Sequence, residues 1–396
     1  MSAKRVLLYV QHLLGIGHLK RAATLADAMT RNGLEVTLVS GGLEVPGLAV
    51  NAARMVQLPS ASAADLSFKM LVDAHGIPVD KAWKQRRRDV LLDAWQVADP
   101  HAIVVELFPF GRRQMRFELL PLLDTASSAA HRPVIVSSVR DILGGGQNDP
   151  SRQHQMLALF ERYFDHVLVH GEQALIPFEQ TFVHAARLGA KLHYTGYVVD
   201  RALHVEAVDA REKAGTDEVI VSVGGGAVGR RLLETAMLAR PLSGLARHRW
   251  RLLAGANVAP QDMRELMACA RAADGGTGGI VVERNRADFL QLLANCRLSI
   301  SQGGYNTIME TLLAGARAVV VPFAGGAEIE QTLRARCLAE RGWIDMVEEI
   351  DLTPRALADA IDRAARRAPA ANGAVSLEGA RNSAALLAQW TSELAW

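Results

Sequence analysis

Short β-rich runs alternate with helical stretches from one end of this 396-residue chain to the other. That alternation confines the chain to parallel sheets covered by helices on both faces. Residues 5–10, 35–39, 102–106, 133–139, 166–170 and 192–195 read as strands, with residues 19–31, 81–97 and 152–163 as helices between them. The pattern relaxes over residues 200–216, a polar and charged stretch suited to a linker, and restarts with strands at 218–223, 250–253, 279–283, 297–301 and 318–321. The expected architecture is α/β: two Rossmann-like doubly wound domains, residues 1–199 and 217–376. A final helical segment, 377–396, is expected to pack back on the first domain. The Ala-rich run 364–374 reads as a loose loop.

Length alone predicts two domains, each large enough to bury a core. With 44 basic and 42 acidic residues, bulk charge gives no argument for nucleic acid. The three cysteines, Cys269, Cys296 and Cys337, lie far apart without C-x-x-C spacing, which fits reduced core thiols and a cytoplasmic setting. The N-terminal apolar run is broken by Gln11-His12 too early for a signal peptide. No run of about 18 apolar residues is present, so no membrane span is expected.

The segment Ser301-Gln302-Gly303-Gly304-Tyr305-Asn306-Thr307 leaves a strand and enters a helix expected over 305–314. Glycines let a ligand approach the backbone, and the first amides of a helix carry roughly half a positive charge, so a phosphate or diphosphate suits the turn. Glu310, one to two turns on, is placed for a neutral diol attached to that phosphate. A second strand, 317–322, opens through Phe323 onto a helix carrying Glu330 and Gln331. Both loops emerge at the carboxyl edge of a parallel sheet, where ligands bind. Each half opens with a strand, a glycine-rich turn and a helix: Gly15, Gly17 and His18 in the first, Gly224, Gly225, Gly226 and Gly229 in the second. The strand at 35–39 ends in Ser40-Gly41-Gly42 with no acid for an adenine ribose, which disfavours a nicotinamide enzyme.

Gly15-Ile16-Gly17-His18, Gly224 to Gly226, Gly303-Gly304-Tyr305-Asn306-Thr307 with Glu310, and Pro322-Phe323 with Glu330-Gln331 resemble glycosyltransferase family 28, the group of GT-B nucleotide-sugar enzymes that includes the UDP-N-acetylglucosamine transferases of peptidoglycan synthesis. The resemblance covers nearly the whole chain. It is specific in the second half and weakest over 61–113. It implies two Rossmann-like domains facing across a cleft, an acceptor-side first half and a donor-side second half. By position, Gly17, Gly224 to Gly226 and Gln302 to Thr307 bind the donor diphosphate and Glu310 the ribose. Arg284, Asn285 and Arg286 offer the base-side loop, and Glu330 with Gln331 read the sugar. Gln302 departs from a common His or Arg, for which Arg230, Arg231 or Arg286 can substitute. The expected reaction is inverting, metal-independent transfer from a nucleotide sugar, UDP favoured over TDP or GDP, with no cofactor and an unknown acceptor. The alternatives are a nucleotide-sugar 2-epimerase or hydrolase, and a non-catalytic nucleotide-sugar binder.

Inverting transfer needs a base for the acceptor hydroxyl. His18, at the tip of the first strand, is the leading candidate and His12 its rival; Asp141 and Glu106, each after a strand, are candidates for base or base-orienter. His170 is expected to line the same crevice. Arg86, Arg87 and Arg88 lie in a helix and read as a solvated basic face, with contact to an anionic acceptor or a peripheral membrane surface as the second reading.

Overall fold

The structure, a computed structural model, describes residues 3–13, 15–45, 50, 54–64, 70–144, 149–200, 214–223, 229–255, 258–325, 329–368 and 373–394. The chain forms two compact units: Met1–Val199 with Ser376–Trp396, and Asp200–Val375.

In unit 1 the strands are β1 (Arg5–Val10), β2 (Glu35–Ser40), β3 (Arg54–Gln57), the short antiparallel pair β4 (Ser62–Ala63) and β5 (Leu71–Val72), then β6 (Ala102–Glu106), β7 (Val134–Arg140), β8 (His166–His170) and β9 (Leu192–Tyr194). Seven of them form a parallel sheet in the order β3-β2-β1-β6-β7-β8-β9. The helices are α1 (Gly17–Arg31), α2 (Lys81–Ala98), α3 (Arg116–Ser127) and α4 (Pro150–Tyr163). A sheet buried on both faces needs strands that are apolar at every position, and β1 supplies them. Leu7 and Tyr9 point into a core with Leu91 of α2, Leu119 and Leu122 of α3 and Phe160 of α4, whereas Val6, Leu8 and Val10 face Leu19, Leu25 and Met29 of α1. Each such side chain contributes about 1.5–3 kcal/mol on burial.

Unit 2 repeats the plan with β10 (Val219–Ser222), β11 (Trp250–Ala254), β12 (Ile280–Arg284), β13 (Leu298–Ser301), β14 (Ala318–Val320) and β15 (Asp345–Met346), all parallel, in the order β12-β11-β10-β13-β14-β15. Its helices are α5 (Arg230–Ala239), α6 (Pro260–Asp274), α7 (Phe289–Asn295), α8 (Tyr305–Leu313), α9 (Glu330–Glu340) and α10 (Pro354–Arg366). Val219 and Val221 pack with Leu233 of α5, Leu266 of α6 and Ile361 of α10, while Ile220 and Leu253 meet Leu292 of α7.

The last helix, α11 (Gly379–Ser392), belongs to unit 1 and lies along α1, with Ala384, Leu387 and Trp390 buried in the α1 face of the core. Trp390 stacks on His166, ring centroids 3.8 Å apart, and Asn382 donates to the Thr195 carbonyl at 2.9 Å.

Three readings of the sequence change. The run expected to loosen at Ala364 is helical to Arg366, with Ala364 buried. Cys269 is exposed rather than a core thiol. Helix α3, with Pro121 inside it, has no counterpart among the expected elements, because an interior proline ordinarily argues against a helix. Among the described residues no helix is long and apolar enough to cross a membrane.

Candidate active site

Both sheets reverse their strand order at one place, between β1 and β6 in unit 1 and between β10 and β13 in unit 2. Outside the carboxyl ends of such strands the connecting loops part, leaving a crevice that parallel α/β sheets use for ligands.

In unit 1 the chain leaves β1, turns at Ile16 and starts α1 at Gly17, whose first turn has neither a side-chain cap nor an acid. His18 therefore sits one residue into the helix at the strand tip. Its Nδ1 lies 2.7 Å from Oε1 of Glu106, the last residue of β6. Arg21, one turn along α1, pairs with the same oxygen. Glu106 and Arg21 are wholly buried, while the His18 side chain keeps 17% of its surface exposed. Burial would raise the Glu106 pKa, but His18, Arg21 and Arg112 outweigh it and hold the carboxyl well below the usual carboxylate range. Burial lowers the His18 pKa to about 3; Glu106 opposes that shift, while Arg140 and Arg112 add to it. The ring is thus neutral, its Nδ1 hydrogen donated to Glu106 and the Nε2 lone pair turned away from it. A buried carboxylate stabilised by two guanidiniums has little proton affinity, and its contact with Nδ1 fixes the orientation of the His18 ring.

The other base candidates are placed differently. His12 is 4% exposed, its ring packs against Gly42, and burial lowers its pKa. Asp141 is fully buried, accepts from the Tyr197 hydroxyl and the Ile142 amide at 3.0 Å each, and is covered by Gly171. Both side chains are buried, in contrast to the partly exposed His18. His170 is likewise buried, between the Ser138 hydroxyl at 2.8 Å and the Thr195 hydroxyl at 2.9 Å.

The basic run on α2 divides. Arg86 is exposed and Arg88 pairs with Asp89, but Arg87 is completely buried. Its guanidinium pairs with Glu118 of α3 at 2.6 Å and donates to Gln11 and to the Gly41 and Pro59 carbonyls. Arg87 is therefore unavailable to a membrane or an acceptor, and the expectation of a solvated three-arginine face fails there. A guanidinium with four partners can be buried where a lysine could not. Gln11, held by Arg87, donates in turn to the His12 and Ala61 carbonyls, which fixes the loop that leads to His18.

The residues that sequence reasoning passed over are Arg21, Arg112 and Arg140. Arg112 donates from Nε to the Gln11 carbonyl at 2.8 Å, and Arg140 Nη2 lies 3.3 Å from His18 Nε2. The spacing of Arg21 from His18, three residues on a helix and so one face, was the available signal.

In unit 2, Gly303 has φ +77°, and a Cβ there would lie 2.5 Å from Val320 Cγ1, so the turn requires glycine. Gly304 caps α8 without a side-chain bond, and the first turn of α8 holds no acid. The amides of Tyr305, Asn306 and Thr307 make up that first turn. The Tyr305 side chain is buried under the Arg334 guanidinium, 5.1 Å from its ring, so only its main chain faces a ligand. Gln302 and Glu310 are half-buried on the same loop and helix. Glu330, at the start of α9, pairs with buried Arg334 one turn along the same helix at 3.1 Å, and Gln331 accepts from the Phe323 amide at 3.1 Å, which braces the β14 loop. Asn285 donates its amide to the Ala254 carbonyl, and Arg284 is exposed beside it. The proposed substitutes for a charge at Gln302 are engaged: Arg230 with Glu234 and Glu265, Arg231 with the Leu352 carbonyl, Arg286 with Asp288. Gly224, Gly225 and Gly226 lie outside the described residues. Among the described residues no group of three or more His, Cys, Asp or Glu side chains is placed to hold a metal ion.

The fold is that of the GT-B glycosyltransferases. Over 98% of the chain it superimposes on the Arabidopsis thaliana protein UGT89C1, solved as a complex with UDP, with a TM-score of 0.63 at 13% identity and all of that chain covered. The Acinetobacter baumannii protein MurG superimposes over 98% of this chain and 95% of its own, with a TM-score of 0.55 at 16% identity. Within that class the chain is glycosyltransferase family 28-like: residues 262–389 match the glycosyltransferase family 28 C-terminal domain. It is 28% identical over 244 residues to a UDP-N-acetylglucosamine--N-acetylmuramyl-(pentapeptide) pyrophosphoryl-undecaprenol N-acetylglucosamine transferase of Granulibacter bethesdensis, covering 60% of this chain and 56% of that protein. A Rhizobium rhizogenes protein of the same description is covered over 39% of its length, so the chain spans about half the length of the curated relatives it matches.

Proposed function

We propose that this chain is an inverting glycosyltransferase that takes a sugar from a nucleotide-sugar donor, UDP-linked by preference, and delivers it to a hydroxyl or amine acceptor. The observation that carries the reading is the His18–Glu106 pair: a neutral, partly exposed imidazole whose Nδ1 is fixed at 2.7 Å from a buried carboxylate. His18 Nε2 accepts the acceptor's proton as the acceptor oxygen or nitrogen attacks the anomeric carbon. The bond from that carbon to the diphosphate oxygen breaks with its electron pair, and configuration inverts because one displacement occurs. Glu106 stabilises the imidazolium that forms.

The leaving diphosphate is assigned to unit 2, at Gly303, Gly304 and the first amides of α8, with Glu310 one turn on for the ribose hydroxyls. Main-chain amides and the helix dipole compensate its charge, so the reading requires no metal ion and no cofactor. UDP is favoured because the family 28 relatives are named for UDP-N-acetylglucosamine, and a superimposable structure was solved with UDP.

Two measurements test it. UDP, GDP and TDP are compared by thermal shift, where a ligand at 100 times its Kd adds about 2.7 kcal/mol. UDP-sugars are then incubated with and without a pooled library of alcohol, amine and sugar-phosphate acceptors and the products read by mass spectrometry. Acceptor-dependent nucleotide release, lost by about 10²–10⁴-fold in His18→Ala with UDP binding retained, is the expected result. Sugar isomers or free sugar formed without acceptor, or turnover indifferent to His18→Ala, would refute it in favour of an epimerase, a hydrolase or a binding protein.

A further inference from the structure

Three neighbouring strands of unit 1, β3, β2 and β1, end in loops that meet at one buried side chain. The Arg87 guanidinium donates from Nη1 to the Pro59 carbonyl after β3 at 2.5 Å and to the Gly41 carbonyl after β2 at 2.7 Å, and from Nη2 to the Gln11 side-chain oxygen after β1 at 2.6 Å. Glu118 of α3 takes the rest of the fork, 2.6 Å from Nε and 2.9 Å from Nη2, and accepts from the Tyr9 hydroxyl of β1 as well. Gly41 makes room for this, because a Cβ there would overlap both the guanidinium and Gln11 Oε1. Gly42 does the same for the His12 ring. The glycine pair at the tip of β2 is therefore a double recess, filled from α2 and from the β1 loop.

Gln11 carries the arrangement on toward the site. Its side-chain amide donates to the His12 and Ala61 carbonyls at 2.7 and 3.0 Å, and its own carbonyl accepts from Arg112 Nε at 2.8 Å. Hydrogen bonds thus run from Arg87 through Gln11 to Arg112, whose charge acts on both His18 and Glu106. A buried ion pair adds little stability over apolar side chains of similar volume, since desolvation offsets the attraction. What Arg87 and Glu118 supply that apolar residues lack is direction, through a planar fork of donors in fixed geometry.

We propose that Arg87 is a positioning residue for transfer: by tying the loops after β1, β2 and β3 to α3, it sets the path of the β1 loop through Gln11 and so holds the His18 ring in one orientation. This role rests on His18 being the base. It acts within unit 1 and leaves the donor turn of unit 2 untouched. No covalent bond changes and no proton moves through the network.

Two variants of the full chain separate positioning from stability. Arg87→Met with Glu118→Leu removes both charges together, and Gln11→Met cuts the link while the Arg87–Glu118 pair stays in place. Both are expected to remain folded by circular dichroism and to bind UDP with the parent's affinity by calorimetry. In the histidine-labelled parent chain, with the His18 NMR signal assigned by its loss in His18→Ala, the ring does not titrate between pH 8 and 5, because burial, with Arg140 and Arg112, holds it at about 3 against the pull of Glu106. In both variants the loosened loop admits water and the ring begins to titrate above pH 5, a rise of at least about two units. Acceptor-dependent nucleotide release from UDP-sugars, measured with the pooled acceptor library, falls about 10²-fold, the loss that a displacement of about 1 Å causes. Should the double replacement fail to fold, Gln11→Met decides alone. A His18 ring that stays neutral to pH 5 in Gln11→Met, or release within about threefold of the parent, overturns the proposal and leaves Arg87 a packing residue. UDP affinity lost in step with transfer also defeats it, since a general loss of structure then explains both. If His18→Ala leaves transfer unchanged, the base assignment has failed instead, and the His18 titration still reports whether Arg87 holds the loop.

Discussion

Replacing Glu106 by Gln removes one negative charge and almost no volume from the centre of unit 1. The carboxylate is wholly buried, pairs with the equally buried Arg21 and sits 2.7 Å from His18 Nδ1. Breaking a buried ion pair from one side leaves the other charge uncompensated, at a cost of about 3–5 kcal/mol. The Gln carbonyl can still accept a hydrogen bond, from Arg21 or from His18 but not with the strength of a carboxylate, so the larger loss falls on the imidazolium formed during transfer. The serine protease triad is the nearest parallel, a histidine base oriented by a buried carboxylate, and there an Asp→Asn change at the orienting position lowers kcat about 10⁴-fold. Here a fall of about 10²–10⁴ is expected, with KM for the donor nearly unchanged because unit 2 is untouched. Urea unfolding followed by circular dichroism reads the stability, and initial rates read the transfer. A Glu106→Gln chain as stable as the parent to within about 1 kcal/mol and with kcat within about threefold would contradict both the ion-pair argument and the orienting role.

Three further outcomes follow from the geometry. His18 and His170 are each pushed down to about 3 by burial against an ordinary 6.5, so the unfolded chain takes up their protons first as the pH falls. Their contribution is complete above pH 6.5 and disappears between about 6.5 and 3, with roughly 2 kcal/mol per group gone by pH 5; urea titrations at pH 7.5 and 5 check this, and equal stability at both would count against the buried neutral rings. Gly303→Ala places a Cβ 2.5 Å from Val320 at φ +77°, so it should destabilise by about 1–3 kcal/mol and weaken UDP binding, read by calorimetry; an unchanged Kd would remove this turn from the donor site. Arg87→Ala should cost about 3–5 kcal/mol by stranding Glu118, whereas the double replacement Arg87→Met with Glu118→Leu should cost much less; similar losses in both would show that the pair itself, and not its imbalance, supplies the stability.

The parallel sheets were legible because their strands are apolar on both faces, so that β1, β2, β6, β8 and β10 stand out from the polar helices around them. Helix α3 was hidden by Pro121, and the edge strand β3 by its polar ends, Arg54 and Gln57. At the site, His18 and Glu106 were each legible as residues at strand tips, but their pairing was not, because it depends on β1 and β6 lying side by side. Buried charge was the part that could not be read. Arg87 carries the same letters as exposed Arg86 and half-buried Arg88, and the approach of Glu118 from another helix decides which of the three turns inward. The burial of His12 and Asp141 was unreadable for the same reason: strand tips can face either the crevice or the packing beneath the loops.

The path of the chain through unit 1 has a further effect. Residues 376–394 close that unit by burying Ala384 and Leu387 in the α1 face of the core and stacking Trp390 on His166, but they are translated after all of unit 2. On the ribosome, unit 2 can therefore reach its native packing while the first unit's hydrophobic strip beneath Ala384, Leu387 and Trp390 is still bare. A nascent chain stalled before residue 376 would offer that strip to chaperones, and release of the final helix would withdraw it.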